Sequence, residues 1–337
     1  MSVSNLIMQK THSAIPFARV QCSGNEFDYV NKVLSSGWLT TGAMCAELES
    51  VVAKLVGCEF VLAVNSCTAG LHLAVEALGI QPGDKVLVPT LTFTASAEIL
   101  RYLGADPILV DVDFDTKAVT PEIIESALIE HPECKAVVVV HFAGQACAML
   151  DSDREGIVSV CKRRGVKVIE DAAHALPASD QGRPVGALGD IGCLSFYANK
   201  NITTGEGGMV LTNNSEIAER VSLMRLHGID RTVWNRFTDT ENSAWEYDVV
   251  SAGYKYNLAD LNAAVGLAQL EQIDTMHERR VSIAKRYLKE LQDLPVSLPV
   301  VRGAVEAHAW HLFAIVVGSD ASITTVSYTH LTLPTKA

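Results

Sequence analysis

A single lysine, Lys200, sits in the run Ser195-Phe196-Tyr197-Ala198-Asn199-Lys200-Asn201-Ile202-Thr203-Thr204-Gly205-Glu206-Gly207-Gly208, where an apolar strand-like stretch delivers an amine into a loop of small, hydroxylated and glycine residues. Such a loop packs poorly and does not exist for core stability alone. A lysine held in a partly dry pocket loses proton affinity, and the neutral amine can then form a Schiff base with a carbonyl. A solvated lysine on a turn is the ordinary alternative. Its neighbours argue against that. Upstream, Lys167-Val168-Ile169-Glu170-Asp171-Ala172-Ala173-His174 is an apolar strand that ends in acidic residues. Open α/β sheets bind ligands beyond the carboxyl ends of their strands, so a carboxylate there points into a crevice. Asp171 as a helix cap or a strand-end charge is the competing reading. A third element is an anion site. Residues 60–65 read as a strand, and Ser66-Cys67-Thr68-Ala69-Gly70 then opens a helix over 71–78. Free N–H groups and the positive dipole end at a helix start attract a phosphate, and Ser66 or Thr68 adds a hydroxyl. Simple capping by Ser or Thr would give the same residues.

An amine, a carboxylate and a phosphate cradle are the three groups that pyridoxal phosphate requires. The carboxylate keeps the pyridine nitrogen protonated, so that the ring can accept electrons from a substrate carbanion. Further stretches include Ser36-Gly37-Trp38-Leu39-Thr40-Thr41-Gly42, Val88-Pro89-Thr90-Leu91-Thr92-Phe93-Thr94-Ala95 and Gly253-Tyr254-Lys255-Tyr256-Asn257-Leu258-Ala259-Asp260. With these motifs in this order, the chain resembles the DegT/DnrJ/StrS group of sugar aminotransferases, fold-type I pyridoxal-phosphate enzymes, from residue 15 to about residue 315. The resemblance implies that Lys200 holds the cofactor covalently and that Asp171 pairs with the pyridine nitrogen. It places Phe93 on one face of the ring, a role that competes with a plain core aromatic. His174 falls where the family has a Gln or His near the phenolic oxygen, against the alternative of a satisfied structural histidine. Ser195 and the amides of Cys67 and Thr68 would hold the phosphate. Asn257 would reach the phosphate of a partner subunit, or else be a turn residue before a helix. A homodimer follows from the resemblance, with Asn257 and the loop of Trp38, Thr40 and Thr41 completing sites across the interface.

Positioning these groups takes alternating strands and helices, the pattern of a mostly parallel sheet covered on both faces. Strands are expected at 60–65, 85–88, 107–111, 136–141, 166–170, 192–197 and 208–212, and long amphipathic helices over 259–291. The fold class is thus α/β, a large domain with a seven-stranded, mostly parallel sheet and a small α+β domain beginning near its end. The expected division is 1–255 for the cofactor-binding domain with its N-terminal arm, 256–318 for connecting helices and the start of the small domain, and 319–337 for a tail. That tail is expected to be foreign to the family and poorly packed, leaving the small domain incomplete. No G-x-G-x-x-G is present, which disfavours a dinucleotide-binding dehydrogenase.

A chain of 337 residues can bury a sizeable core. No apolar run approaches the ~20 residues of a membrane span, and 1–10 lacks the apolar core of a signal peptide, so the expected location is the cytoplasm. The eight cysteines form no C-x-x-C pair and read as scattered reduced thiols, Cys67 as a small apolar filler. No histidine spacing supports a metal. A net charge of −12 argues against nucleic acid and against an anionic membrane surface. It also sits awkwardly with a pyrophosphate-bearing substrate, so local cations must compensate; Arg225, His227, Arg231 and Arg236 are the candidates, against a solvated helix end.

The expected activity is transamination of a keto group on a nucleotide-linked hexose, with glutamate as amino donor; the Gly-Tyr-Lys-Tyr-Asn motif leans by resemblance towards 4-keto sugars. Two rivals stand beside it. Sugar dehydratases of the same family replace the Schiff-base lysine with histidine, whereas Lys200 is intact here. A cofactor-binding regulator or inactive homologue would bind the cofactor without transferring an amino group.

Overall fold

The computed structural model describes residues 18–230 and 247–318. Arg231, Arg236 and the expected tail 319–337 lie outside the described residues. Two helices open the described chain, α1 (Glu26–Ser36) and α2 (Ala43–Val56), each ended by a left-handed glycine, Gly37 at φ 71° and Gly57 at φ 66°. The alternation follows: β1 (Phe60–Val64), α3 (Cys67–Ala77), β2 (Lys85–Pro89), α4 (Ala95–Tyr102), β3 (Asp106–Val110), α5 (Pro121–Glu130), β4 (Ala136–Val140), α6 (Ile157–Arg164) and β5 (Lys167–Asp171). A two-residue hairpin, β6 (Ser179–Asp180) with β7 (Arg183–Pro184), precedes β8 (Ile191–Ser195) and β9 (Gly208–Thr212). Then come α7 (Ser215–Met224), α8 (Asp260–Leu270), α9 (Ile273–Glu290) and a short antiparallel pair, β10 (Val296–Ser297) with β11 (Val316–Val317).

Seven strands form one sheet in the order β1-β9-β8-β5-β4-β2-β3. All seven lie within two residues of the positions read from the sequence. The sheet is parallel except for β9, which runs antiparallel to β8 and to β1. The cause is the connection. A parallel neighbour requires a crossover, usually helical, whereas the segment between β8 and β9 is the Lys200 loop, which contains no helix and turns the chain straight back. Strand β8 stops at Ser195 rather than at Tyr197 for the same reason: Tyr197 is already 47% exposed as the chain leaves the sheet.

The Val-rich β4 is buried along its whole length, the mark of a central parallel strand covered on both faces. One apolar layer packs that sheet against α3, α4 and α7 through Leu71, Ile99 and Val221, and another packs it against α5 and α6 through Ile124, Leu128 and Ile157. A third cluster joins α1, α2 and α8 to the β1 side through Leu48, Val52 and Ala264. Each such fully buried aliphatic side chain contributes about 1.5–3 kcal/mol, so the strand ends that carry polar groups rest on a rigid base. The N-termini of α3, α5 and α7 are capped by Ser66, Thr120 and Asn214, whose side chains accept from the amides of Ala69, Ile123 and Ile217. Among the described residues no helix is long and apolar enough to cross a membrane.

Candidate active site

Register alone gathers the site at one end of the sheet. Val64 of β1 pairs with Gly208 of β9, and Gly208 with Ser195 of β8, so these three lie in one row at the carboxyl ends of β1 and β8. Asp171, the last residue of β5, pairs with Val140 on one side and Cys193 on the other. The helix start after β1 is seated against that row: a Cβ on Gly208 would come within 2.6 Å of the Cys67 amide nitrogen. Only glycine permits β9 to approach the turn so closely. Ser66 Oγ is engaged by the Ala69 amide at 3.1 Å, and the amides of Cys67 and Thr68 meet no acceptor among the described residues. They are the anion-binding donors that a helix start provides. Burial pushes the Cys67 thiol well above its usual range, which agrees with an apolar filler and not with a nucleophile.

Lys200 lies half-buried in the loop that follows β8. Burial lowers its proton affinity, while the nearby Cys67 and Asp171 act in the opposite sense, so amine, thiol and carboxylate lie within electrostatic reach of one another. The loop is polar yet held from several sides. Thr203 Oγ1 donates to the Phe196 carbonyl at 3.0 Å and accepts from the Gly205 amide at 2.8 Å. Asn201 Nδ2 donates to the carbonyls of Leu176 and Ala309 at 3.1 and 2.8 Å, tying the lysine's neighbour to the segment before β11.

Asp171 is buried, its Oδ1 accepting from the Ala173 amide at 3.1 Å and its Oδ2 from Ser96 Oγ at 2.6 Å. The adjacent Glu170 is also buried, but strand alternation sends it to the other face of the sheet. It accepts from the amides of Gly186 (2.8 Å), Leu188 (2.6 Å) and Gly189 (2.7 Å) and contacts His141 Nε2 at 2.9 Å. These donors hold the Glu170 carboxyl below its usual range against the opposing effect of burial. The Cys147 amide lies 3.1 Å from His141 Nδ1, and the Glu170 contact is made through Nε2. Of the two acidic residues ending β5, Glu170 is therefore structural: it fixes the approach to β8, and Asp171 is left to face the crevice.

His174 accepts from the Ala143 amide at Nδ1, at 3.3 Å, and its ring lies 4.3 Å from that of His311, which belongs to the same segment as Ala309. Burial, reinforced by the charge of Lys200, pushes His174 down to about 4. Burial likewise takes His311 down to about 3 and His308 to about 4. A folded pKa below the unfolded value of about 6.5 means that the unfolded state binds the extra protons as pH falls. The stabilisation is complete above pH ~6.5 and is lost progressively as pH falls towards about 3, the folded value of His311. Denaturant unfolding at pH 7 and pH 5 should show a lower midpoint at pH 5, and His311→Gln should flatten that dependence; an unchanged slope in the variant contradicts this assignment.

Phe93 is 72% exposed in the turn before α4, so core packing does not account for it, and its ring face is open. Ser195 is half-buried in its row position, its Oγ accepting from the Tyr197 amide at 3.4 Å. Trp38, Thr41 and Asn257 form a second group: Trp38 Nε1 donates to the Thr41 carbonyl at 3.1 Å, and Asn257 Nδ2 to Thr41 Oγ1 at 2.7 Å. Thr40 is exposed beside them, and its carbonyl accepts from the Asp260 amide at 3.3 Å. The backbone of Asn257 bridges to Val64, which sets this group beside the end of β1. His227 is exposed in a left-handed turn at φ 59°. Arg225 departs from expectation. Its guanidinium donates to Glu49 Oε1 at 2.7 Å and to the Ala63 carbonyl at 2.9 Å, so its charge is met inside the fold, clamping α2 to β1. Arg225 is accordingly removed from the substrate-binding set. Sequence reasoning overlooked Ser96, Glu170 with His141, Asn201 and Asp260. The buried Asp260 carboxylate accepts from the amides of Gly42, Met44 and Cys45 at 2.8, 3.2 and 3.0 Å and so caps α2 from a distant helix.

The donor set fits pyridoxal phosphate: free helix-start amides for the phosphate, a buried carboxylate for the ring nitrogen, a partly buried amine within reach of both, and an open aromatic face. A seven-stranded, mostly parallel α/β sheet with that constellation at its strand ends defines a fold-type I pyridoxal-phosphate enzyme. The chain belongs to the DegT/DnrJ/EryC1/StrS aminotransferase family, whose model matches residues 21–330. It is thus a member of a family of pyridoxal-phosphate-dependent sugar aminotransferases. It is 40% identical over 311 residues to the spore coat polysaccharide biosynthesis protein SpsC of Bacillus subtilis (strain 168), covering 92% of this chain and 78% of that protein. Among solved structures it is similar to Spr1654 from Streptococcus pneumoniae, assigned as a sugar aminotransferase and solved in its PLP form, with TM-score 0.80, 29% identity and coverage of 90% of this chain and 78% of that one. The aminotransferase TlmJ from Streptoalloteichus hindustanus is equally similar in fold, with TM-score 0.80, 31% identity and the same coverages, 90% and 78%.

Proposed function

We propose that this chain transfers the amino group of glutamate to the keto group of a nucleotide-linked hexose, a 4-keto sugar by the lean of its late motif. The observation that carries the reading is Lys200, an amine with lowered proton affinity, within electrostatic reach of the buried Asp171. When bound, pyridoxal phosphate supplies an aldehyde that takes up amines and a ring that accepts electron density from the adjacent carbon. Asp171, its two oxygens engaged by Ser96 and the Ala173 amide, would face the ring nitrogen and favour its protonated form. Lys200 would hold the cofactor, and its amine, with proton affinity lowered by burial, would move a proton at the reacting carbon. Cys67 and Thr68 amides with Ser195 would hold the phosphate, Phe93 would cover a ring face, and His174 would serve the phenolic oxygen.

The likeness to SpsC supports a place for the product in a surface polysaccharide. Trp38, Thr40, His227 and Arg231 are proposed to meet the sugar nucleotide, and Asn257 with the Trp38 loop to complete a partner's site in a homodimer. The domain division at residues 255 and 318 is kept as a proposal; the family match to residue 330 carries the resemblance beyond the second boundary. Glutamate should discharge the visible absorbance of the bound cofactor in a single turnover, and a nucleotide-linked 4-keto hexose should restore it. No discharge overturns the donor assignment, and no restoration across a panel of nucleotide keto-sugars overturns the acceptor. Sedimentation of the active protein as a monomer would overturn the shared site.

A further inference from the structure

The first turn of α4 does two things at once. The Ser96 amide donates to the Phe93 carbonyl at 3.2 Å, so one short turn fixes both the exposed aromatic ring and the buried Ser96 hydroxyl. That hydroxyl lies 2.6 Å from Asp171 Oδ2 and 2.7 Å from Thr92 Oγ1. The direction of the two hydrogen bonds follows from chemistry. An ionised carboxylate only accepts, and Ser96 has a single proton, so Ser96 donates to Asp171 and Thr92 donates to Ser96. Ser96 is fully buried and Asp171 nearly so, in surroundings where a charge-assisted bond is strong and its loss costly. Asp171 takes one protein donor on each oxygen, leaving a lone pair on the crevice side for the proton of a ring nitrogen.

We propose that Ser96, oriented by Thr92, is a positioning residue that keeps the Asp171 carboxylate aimed at the cofactor's ring nitrogen. The proposal rests on the function argued above. Nothing in the local sequence advertises it: Ser96 is one small residue within an amphipathic helix, and its partner lies 75 positions downstream.

The test uses the reconstituted enzyme carrying pyridoxal phosphate labelled with nitrogen-15 in the ring. In the wild type the ring nitrogen should resonate as a protonated pyridinium. Ser96→Ala should move that resonance towards unprotonated pyridine and slow the glutamate half-reaction about 10- to 100-fold, the range expected for loss of a hydrogen bond to a buried charge. The glutamate concentration giving half-maximal rate should stay unchanged. Ser96→Thr, which keeps the hydroxyl, should restore both signals, and the near-isosteric Thr92→Val should give a smaller change of the same sign. Ser96→Ala that binds cofactor with wild-type resonance and rate overturns the proposal. So does equal impairment of the Ala and Thr variants, which marks Ser96 as packing alone. Should Ser96→Ala fail to fold, a wild-type resonance and rate in Thr92→Val decides against the relay. A wild type that binds cofactor but does not react with glutamate tells against the assigned donor, and the resonance comparison still stands by itself.

Discussion

Replacing Lys200 by alanine is expected to lower transamination by at least about 10⁴-fold, the upper range for removing a positioned acid–base group, with loss of covalent anchoring besides. The expectation rests on local uniqueness. Lys200 is the amine that Cys67, Asp171, His174 and His311 all register electrostatically, and no second lysine among the described residues has that standing in their surroundings. The variant should fold, because Lys200 lies half-buried and its loop is held by Thr203, Thr204 and Asn201 rather than by the amine. The apo variant should be slightly more stable than the wild type at neutral pH, since burial disfavours the charged amine that the folded wild type must accommodate. Single-turnover discharge by glutamate, followed in the visible spectrum, is the measurement. Residual rates above about one per cent of wild type would place the proton transfer elsewhere. Partial recovery with added methylamine would assign the lost function to the amine itself.

The contiguous parts of this site were legible in the sequence because each is chemically self-contained. A strand end followed by Asp171, a helix start at Ser66-Cys67-Thr68 and a lysine in a loop of small residues carry their signal within a few positions. The strands were legible for the same reason, since short Val-rich runs between helices leave few alternatives. What escaped depends on partners far along the chain. Asp260 caps α2 from more than 200 positions away, and Glu170 looked equivalent to Asp171 until the pleat put them on opposite faces. Arg225 is the reverse case. Its neighbours in sequence made it part of a basic cluster, whereas its partner Glu49 lies 176 positions upstream. A local reading counts charges; only the fold shows which are already neutralised.

Asp171→Asn should cost about 10²–10³-fold in the half-reaction while leaving the fold intact. The hydrogen-bond inventory explains the selectivity. An asparagine Oδ1 can still accept from the Ala173 amide, and its Nδ2 can donate to Ser96 Oγ, whose own proton then turns to Thr92. Every buried polar atom keeps a partner, so stability should shift little, in contrast to an alanine, which takes a partner from both the Ser96 hydroxyl and the Ala173 amide. What disappears is the negative charge. Without it the ring nitrogen has no reason to hold a proton, and electron density from the reacting carbon has nowhere favourable to go. Adding Ser96→Ala to Asp171→Asn should then slow the reaction far less than it does in the wild type, because the hydroxyl acts through the carboxylate. Full additivity of the two losses would separate Ser96 from Asp171, and an Asp171→Asn enzyme within threefold (roughly the scatter of such comparisons) of the wild-type rate would remove the carboxylate from the chemistry.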